Sequence, residues 1–476
     1  MKKILYFAAT ILLLFGALIN YAQDLKAKDI SIWEGKVNTG ALALRIVVKF
    51  NQNEDGTFAG TMDSPDQGTK DIPLNDIEMT NDSLTFKLNA ANAAYAGKIE
   101  PDKSSINGTW TQRGAAFDLK LSKVEKVTEV KRPQTPQQPF PYTIQDISFK
   151  NNSANIELGG TVTSPSAEGK YPAVVLVTGS GAQDRDETLF EHKPFWVIAD
   201  YLTRHGIVVL RYDDRGVGKS TGIFSSSTSI DFATDAISGV EYLKTRKDVD
   251  VKKIGIIGHS EGGLIAPMAA QSSSDVSFIV LLAGPGVKGS DLLLTQVKDI
   301  MKVNGTPEDE LEKNIYESKT IYDLIINNPD SLTAFNKLHE FYNEELAKLS
   351  DEEKKKPENS KESFDRNVST LLSPWFRFFL RYDPQPALEN TTIPVLALNG
   401  DKDLQVSSKV NLPAIESALK TAGNKNYKTV ELPGLNHLFQ HTKTGAVSEY
   451  GTIEESFSPE ALKIMGDWIL GVTGNM

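Results

Sequence analysis

Residues 253–266 read Lys253-Ile254-Gly255-Ile256-Ile257-Gly258-His259-Ser260-Glu261-Gly262-Gly263-Leu264-Ile265-Ala266. The part before Gly258 is a short apolar run, which is typical of a strand buried in a parallel sheet. The part after Gly262 reads as the start of a helix. The five residues between fit the pattern G-x-S-x-G, in which a tight strand-to-helix turn raises the serine hydroxyl above the sheet. The sequence therefore predicts a nucleophile elbow at Ser260, with glycines where a side chain would crowd the turn.

Two later segments supply partners for this serine. A serine hydroxyl becomes nucleophilic when a base removes its proton and a carboxylate orients the base. Residues 393–399 and 428–432 are apolar segments that lead into Asp403 and His437. Reacting groups in open α/β sheets gather at the carboxyl ends of the strands, so Ser260, Asp403 and His437 are expected at one edge of the sheet.

These motifs resemble those of the α/β-hydrolases. The resemblance is strongest to the serine esterase and S33-type serine aminopeptidase-like branch of bacterial exported proteins, over about residues 142–476. In that family the acid lies in a G-x-x-D-x-x-V turn, which corresponds here to Gly400, Asp403 and Val406. The resemblance thus implies that Asp403 is the triad acid, with Asp401 as the alternative.

His437 is the predicted base among the six histidines of the chain. His437 directly follows a strand and a Pro-Gly turn, whereas three other histidines precede or adjoin the serine and are excluded by chain order. His441, four residues further on, remains the rival.

The oxyanion hole requires two backbone N–H groups aimed at the developing negative charge. The residue after the nucleophile, Glu261, supplies one of them. The loop Thr178-Gly179-Ser180-Gly181 follows an apolar strand and supplies the other, which we assign to Ser180. Many relatives have histidine where this chain has Thr178.

Composition limits the other function classes. The chain has 476 residues, a net charge of −11 and no cysteine. The negative charge argues against nucleic acid and anionic membrane surfaces as partners. No metal-ligand spacing or complete nucleotide-binding motif is present, so we expect neither a metal nor a cofactor.

The N-terminus predicts export. Residues 1–22 combine a basic start, an apolar stretch and a small residue before Gln23, which together indicate a cleavable signal peptide. The apolar stretch is shorter than the about 20 residues of a membrane-spanning helix. We therefore expect a periplasmic or secreted protein without stable membrane insertion, and a retained membrane anchor is the alternative.

Residues 24–125 show short alternating apolar patterns separated by turn signals, which predict an antiparallel β domain closed as a small barrel or sandwich. Trp33 and Trp110 are candidates for a glycan contact, although core aromatics are the simpler interpretation. Residues 126–142 are rich in proline and predict a stiff, extended linker.

Residues 143–476 alternate between strand and helix patterns, which predicts a mostly parallel eight-stranded sheet covered by helices on both faces. The predicted strands are 145–150, 156–163, 172–178, 206–212, 253–258, 278–283, 393–399 and 427–432, and the predicted helices are 194–204, 230–246, 261–272, 408–421 and 459–471. Because no helix separates the first two strands, they should form an antiparallel edge. Residues 287–385 show helical spacing and predict a helical cap.

The sequence thus predicts an exported serine hydrolase that cleaves small-molecule carboxylic esters. An S33-type aminopeptidase is the first alternative, and it would need acidic residues for the substrate amine, such as Asp184, Asp186 or Glu187. A glycan-binding protein of the cell envelope with an accessory hydrolase domain is the more distant one.

Overall fold

The structure is a computed structural model that describes residues 30–38, 43–53, 55–67, 69–112, 115–128, 131–354 and 359–474. The predicted signal peptide at residues 1–22 lies outside the described residues. Within them, no helix has the length and apolarity that crossing a membrane requires.

The first part of the chain forms one antiparallel sheet of nine strands. Each strand pairs with its neighbours in the order β4-β3-β2-β1-β9-β8-β7-β6-β5. The strands are β1 (Ser31–Asn38), β2 (Ala43–Gln52), β3 (Phe58–Ser64), β4 (Thr69–Pro73), β5 (Asn75–Met79), β6 (Ser83–Leu88), β7 (Ala93–Ile99), β8 (Ser105–Gln112) and β9 (Ala115–Val124).

This sheet curls into a barrel. Strands β4 and β5 stand at opposite ends of the strand order, yet Leu74 alone separates them in the chain, so the two edges of the sheet must meet. Trp33 and Trp110 both lie in the apolar core of the barrel, 5% and 3% exposed. The interpretation as core aromatics therefore fits these tryptophans, and neither presents an indole face to a glycan.

The second part of the chain forms a mixed sheet of eight strands in the order β10-β11-β13-β12-β14-β15-β16-β17. Its strands are β10 (Tyr142–Asn151), β11 (Ile156–Pro165), β12 (Tyr171–Val177), β13 (Val208–Tyr212), β14 (Val249–His259), β15 (Phe278–Leu282), β16 (Val395–Gly400) and β17 (Tyr427–Leu432). β10 and β11 run antiparallel to their neighbours, and the remaining pairs are parallel.

The helices of this part are α1 (Pro194–Arg204), α2 (Ser229–Lys244), α3 (Glu261–Ser272), α4 (Gly289–Val303), α5 (Glu308–Asn327), α6 (Ser331–Ala347), α7 (Asp351–Lys354), α8 (Lys361–Leu371), α9 (Pro374–Arg381), α10 (Gln385–Glu389), α11 (Ser408–Thr421) and α12 (Pro459–Val472). Two apolar layers, one on each face of the sheet, form the core. Helices α4 to α9 occupy the predicted cap, and all of them except the short α7 contribute to a separate apolar core built around Tyr322, Phe364 and Phe376.

The predicted architecture is confirmed, including the antiparallel edge, the eight strands and the helical cap. The predicted element ends differ from the observed ones by at most four residues, because short apolar runs define the centre of a strand better than its frayed ends. The apolar segment at residues 172–177 correctly predicts a strand without polar alternation, because β12 lies in the middle of the sheet and is buried on both faces.

The barrel packs directly against the α/β part. Arg45 on β2 forms an ion pair with Glu191, and the backbone N–H of Phe190 donates to the carbonyl of Asp66. Residues 131–141, predicted to be a stiff linker, contain turns and lie against the α/β part. Arg132 donates to the carbonyls of Phe190, Gly451 and Ile453.

Leu176→Ala should test the central core. Leu176 on β12 is 1% exposed, and truncation of such a side chain leaves a cavity between sheet and helix. We expect the free energy of unfolding to fall by about 2–5 kcal/mol in urea denaturation. Ile230→Ala is the matched control, because Ile230 lies on the exposed face of α2, is 56% exposed and belongs to neither core layer.

A shift below about 0.5 kcal/mol is expected for Ile230→Ala. Equal destabilisation by the two variants would contradict the placement of β12 at the centre of the sheet.

Candidate active site

The predicted elbow is present at the end of β14. Ser260 has φ 52° and ψ −116°, a positive-φ backbone conformation that non-glycine residues seldom adopt. Helix α3 begins at the next residue. A Cβ on Gly258 would lie 1.9 Å from the carbonyl oxygen of Gly262, and a Cβ on Gly262 would lie 2.2 Å from that of Val177. Glycine is therefore required at both positions for the turn to close.

Asp403 and His437 are hydrogen-bonded to each other. Nδ1 of His437 lies 2.8 Å from Oδ2 of Asp403, and both side chains are at most 5% exposed. The other carboxylate oxygen of Asp403 accepts from the backbone N–H groups of Gln405 and Val406. These bonds fix the carboxylate, so the bond to Nδ1 leaves Nε2 of His437 as the nitrogen free to exchange a proton with substrate or serine.

The elbow and the His437 turn meet at one edge of the sheet. Nε2 of His259, the residue before Ser260, lies 2.9 Å from the carbonyl oxygen of His437, and the two imidazole rings are 4.8 Å apart. Within the described residues, the Ser260 hydroxyl and His437 do not form a hydrogen bond. Such bonds are often long in free enzymes and tighten when substrate is bound.

The rival candidates have other partners. Oδ1 of Asp401 accepts from the backbone N–H of Gly434, so Asp401 closes a turn. His441 is exposed and its Nδ1 faces Glu455. The structure thus places Asp403 with His437 and keeps both alternatives out of that pair.

The loop after β12 lies beside the elbow. A Cβ on Gly179 would come within 3.2 Å of Cβ of Ser260. Neither the backbone N–H of Ser180 nor that of Glu261 donates a hydrogen bond to another described residue. Two unpaired N–H groups on the two segments that flank the serine are what an oxyanion hole requires. Thr178, which replaces histidine, donates to the buried carboxyl of Asp214 and so anchors this loop.

The Glu261 side chain connects the elbow to the cap, which the sequence analysis did not foresee. Its Oε1 accepts from the Ser229 hydroxyl at 2.6 Å and from the Trp375 indole N–H at 2.8 Å. Burial raises the pKa of Glu261 to about 7, and the hydrogen bonds from Ser229 and Trp375 only partly oppose this rise. No sequence signal links Glu261 to Trp375, because the two are 114 residues apart.

The three acids considered for binding a substrate amine are all occupied within the protein. Asp184 accepts from Thr188 and from the backbone of Asp186. Asp186 is ion-paired with Arg211. Glu187 accepts from the backbone N–H of Gly179 and from His259, at 2.8 Å each.

The surface between elbow and cap is apolar. Leu264 on α3, Leu292 on α4, Phe379 on α9 and Val406 after β16 form one buried cluster, and Trp375 packs against it. Trp375 and Phe379 thus hold the cap on the core. In the described part of the chain, no group of three or more potential ligand side chains is arranged to hold a metal ion.

The loop after β13 braces the sheet through ion pairs and hydrogen bonds. Asp213 pairs with Arg185 at 2.7 Å, and Arg215 pairs with Asp235 at 2.8 Å. The Ser220 hydroxyl donates to the carbonyl of Asp213, which closes the loop. None of these groups reaches Ser260, so their role is to hold the strands.

Glu261→Gln should change how stability depends on pH. The folded protein holds a proton on Glu261 up to about pH 7, whereas the unfolded chain releases it near 4.5. Stability therefore falls between these pH values in the wild type, and ionised Glu261 costs at most about 3 kcal/mol above pH 7.

Glutamine keeps an acceptor for Ser229 and Trp375 but has no charge to bury. The difference in unfolding free energy between variant and wild type should therefore move in the variant's favour from pH 5 to pH 8. Parallel stability curves would contradict the raised pKa of Glu261.

The sequence is similar to one family model and to several characterised proteins. Residues 194–341 match the family model described as serine aminopeptidase, S33. Esterase EstD of Thermotoga maritima is 29% identical over 301 residues, which are 63% of this chain and 62% of that protein. Human dipeptidyl peptidase 8 is 29% identical over 158 residues, which are 31% of this chain and 17% of that protein. The chain thus spans less than two thirds of the length of either relative.

Two solved structures illustrate the fold comparison. The esterase PF2001 of Pyrococcus furiosus is 17% identical, with a TM-score of 0.43 over 74% of this chain and 100% of that one. Est1E of Butyrivibrio proteoclasticus, solved with ferulic acid bound, is 18% identical, with a TM-score of 0.39 over 69% of this chain and 99% of that one.

The strand order, the elbow between β14 and α3 and the sequence matches agree with one another. The chain has the strand order and elbow of the α/β-hydrolase fold, and it is similar in sequence to the S33 serine aminopeptidase family over residues 194–341 and to Esterase EstD.

Proposed function

We propose that the protein is an exported serine hydrolase that cleaves carboxylic esters with short to medium acyl chains. The observation that carries the proposal is the buried Asp403–His437 pair next to Ser260 on a strained elbow. The similarity to Esterase EstD supports the same reaction class.

In the proposed mechanism, Ser260 Oγ attacks the ester carbonyl while Nε2 of His437 takes the hydroxyl proton. Asp403 holds Nδ1–H of His437 and stabilises the positive charge that the ring acquires. The backbone N–H groups of Ser180 and Glu261 donate to the oxyanion of the tetrahedral intermediate.

The intermediate collapses when His437 returns its proton to the leaving alcohol, and the acyl group stays on Ser260. Water then attacks the acyl-enzyme, with His437 taking a proton from the water and giving it to Ser260 Oγ as the acid leaves. The products are one alcohol and one carboxylic acid, so atoms and protons balance.

The neighbourhood of the elbow favours an ester over a peptide with a free amine. An ammonium group needs an available carboxylate, and Asp184, Asp186 and Glu187 all have partners within the protein. The cluster of Leu264, Leu292 and neighbours offers an apolar wall suited to an acyl or alcohol chain.

Release of N-terminal residues from peptides is the second candidate. The S33 family match supports it, as does Asp299 on cap helix α4. Asp299 has no hydrogen-bond or ion-pair partner among the described residues, and burial together with the charge of nearby Asp403 raises the pKa of Asp299. A carboxylate in that position could attract a substrate amine.

Export and glycan binding are further parts of the proposal that rest on sequence. Residues 1–22 support a periplasmic or secreted location. A glycan contact of the barrel would have to use residues other than Trp33 and Trp110, because both are buried.

Ser260→Ala should abolish the reaction without unfolding the protein. We expect kcat on p-nitrophenyl butyrate to fall by about four to six orders of magnitude. A fluorophosphonate probe should label the wild type on the peptide that contains Ser260 and leave the variant unlabelled. Retained turnover or labelling elsewhere would refute the proposed nucleophile.

Two matched pairs test the other triad members. Asp403→Asn should lower kcat by about 10³–10⁴-fold, because the amide favours the wrong tautomer of His437. Asp401→Asn, two residues away, should not. His437→Gln should likewise inactivate the enzyme, whereas His441→Gln should retain activity. Inactivation by the control of either pair would reassign that role.

The substrate class follows from a comparison of p-nitrophenyl esters with aminoacyl anilides. We expect a higher kcat/KM for the esters, and Asp299→Asn should leave that value within about threefold of the wild type. A preference for anilides that Asp299→Asn removes would establish the aminopeptidase instead.

A further inference from the structure

Glu187 and His259 form a buried pair of ionisable side chains that the proposed ester chemistry does not use. Glu187 is 4% exposed and His259 is 6% exposed. Nδ1 of His259 lies 2.8 Å from Oε1 of Glu187, so the two are in direct hydrogen-bond contact.

The pair joins three segments that carry the proposed active-site groups. The same Oε1 of Glu187 accepts from the backbone N–H of Gly179, next to the proposed oxyanion donor Ser180. His259 is the residue before Ser260 on the elbow. Nε2 of His259 lies 2.9 Å from the carbonyl oxygen of His437. The side chains of Glu187 and His259 therefore link the loop of Ser180, the elbow of Ser260 and the turn that carries His437.

The hydrogen-bond partners determine the protonation state of His259. A backbone carbonyl only accepts, so Nε2 must carry a hydrogen to bond to His437. An ionised Glu187 carboxylate only accepts, and its Oε1 is in contact with both the Gly179 N–H and Nδ1 of His259. Beside an ionised Glu187, His259 makes both of its bonds at once only as an imidazolium.

The electrostatic surroundings favour this state. Burial alone would lower the pKa of His259, but the charge and hydrogen bond of Glu187 outweigh burial and raise it above 6.5. The other titratable groups that face His259 are His437, whose ring is 4.8 Å away, and Asp403, whose charge acts in the same direction as that of Glu187.

The loop that carries Glu187 is itself held firmly. Asp184 accepts three hydrogen bonds from Asp186 and Thr188, and Arg132 donates to the carbonyl of Phe190. Glu187 has a positive φ of 52°, which the surrounding bonds must maintain. These bonds fix the backbone of the loop and so the position of the Glu187 carboxylate.

We propose that Glu187 and the charged His259 are positioning residues that hold the oxyanion loop and the His437 turn in register with Ser260. The inference rests on the proposed function, because it assigns these segments their roles. Loss of the His259 proton leaves the ring one hydrogen for two acceptors, so one of the two links breaks and the catalytic groups lose alignment. Catalysis should therefore fall as pH rises through the pKa of His259, with substrate binding little changed.

Steady-state kinetics of the full-length protein on p-nitrophenyl butyrate from pH 6 to pH 10 tests this. His259→Gln and Glu187→Gln should each lower kcat about 10- to 100-fold with KM within about twofold. The wild-type alkaline decline in kcat should be absent in His259→Gln. In Glu187→Gln it should move to lower pH by about one unit or more, because the carboxylate that raises the pKa of His259 is gone.

His192→Gln is the matched control. His192 is also buried and bonded through both nitrogens, to Ser456 and to the carbonyl of Tyr450, but burial lowers its pKa to about 4, so it is neutral. Its replacement removes a buried histidine without removing a charge, and the alkaline decline should stay where it is in the wild type.

A second measurement uses the unmodified protein and so does not depend on whether the variants fold. NMR of ring-¹⁵N-labelled histidine resolves the six histidines. One buried histidine, assigned by its contact to the ring of His437, should remain doubly protonated at pH 7. A neutral His259 at pH 7 overturns the inference, as does an unchanged kcat profile in folded Glu187→Gln.

The two proposals fail separately. If Ser260→Ala retains activity, the proposed function falls. If Ser260→Ala is inactive while both Glu187→Gln and His259→Gln have the wild-type kcat and pH profile, only the positioning role is lost.

Discussion

The close backbone approach at the end of β14 is the constraint on which the site depends. The chain turns from strand to helix within a space that excludes a Cβ at Gly258 and Gly262, and Ser260 takes a positive φ to complete the turn. Because α3 starts at once, the first N–H groups of the helix have no partner within it. The strain in the turn thus presents a hydroxyl and an unpaired donor side by side.

Buried carboxyl groups surround this turn, and each has a different set of partners. Asp403 binds His437, Glu187 binds His259, and Glu261 binds the neutral donors Ser229 and Trp375. Of these three carboxyl groups, only Glu261 has no ionisable partner, and burial raises its pKa to about 7. The three are buried to a similar extent and differ in the type of partner.

The site is supported from two sides by parts of the chain that are distant in sequence. The cap reaches the elbow through Trp375 and Glu261, and its apolar face closes over Leu264. The barrel reaches the loop of Glu187 through Asp66 and Arg45. These contacts connect the barrel to the loop of Glu187, whose side chain binds the backbone of Gly179. The barrel is therefore part of the structural support of the site.

The sequence by itself determined the local features of this protein. Apolar runs and their spacing identified the eight strands, and the G-x-S-x-G turn identified the elbow, because both depend on neighbours in the chain. The choice of His437 came from its position after a strand, and that of Asp403 came from the resemblance of its turn to the α/β-hydrolase motif. Only the tertiary structure could pair Glu187 with His259, or Glu261 with Trp375, since these partners are 72 and 114 residues apart. Such contacts arise from the packing of whole elements, and no local pattern encodes them.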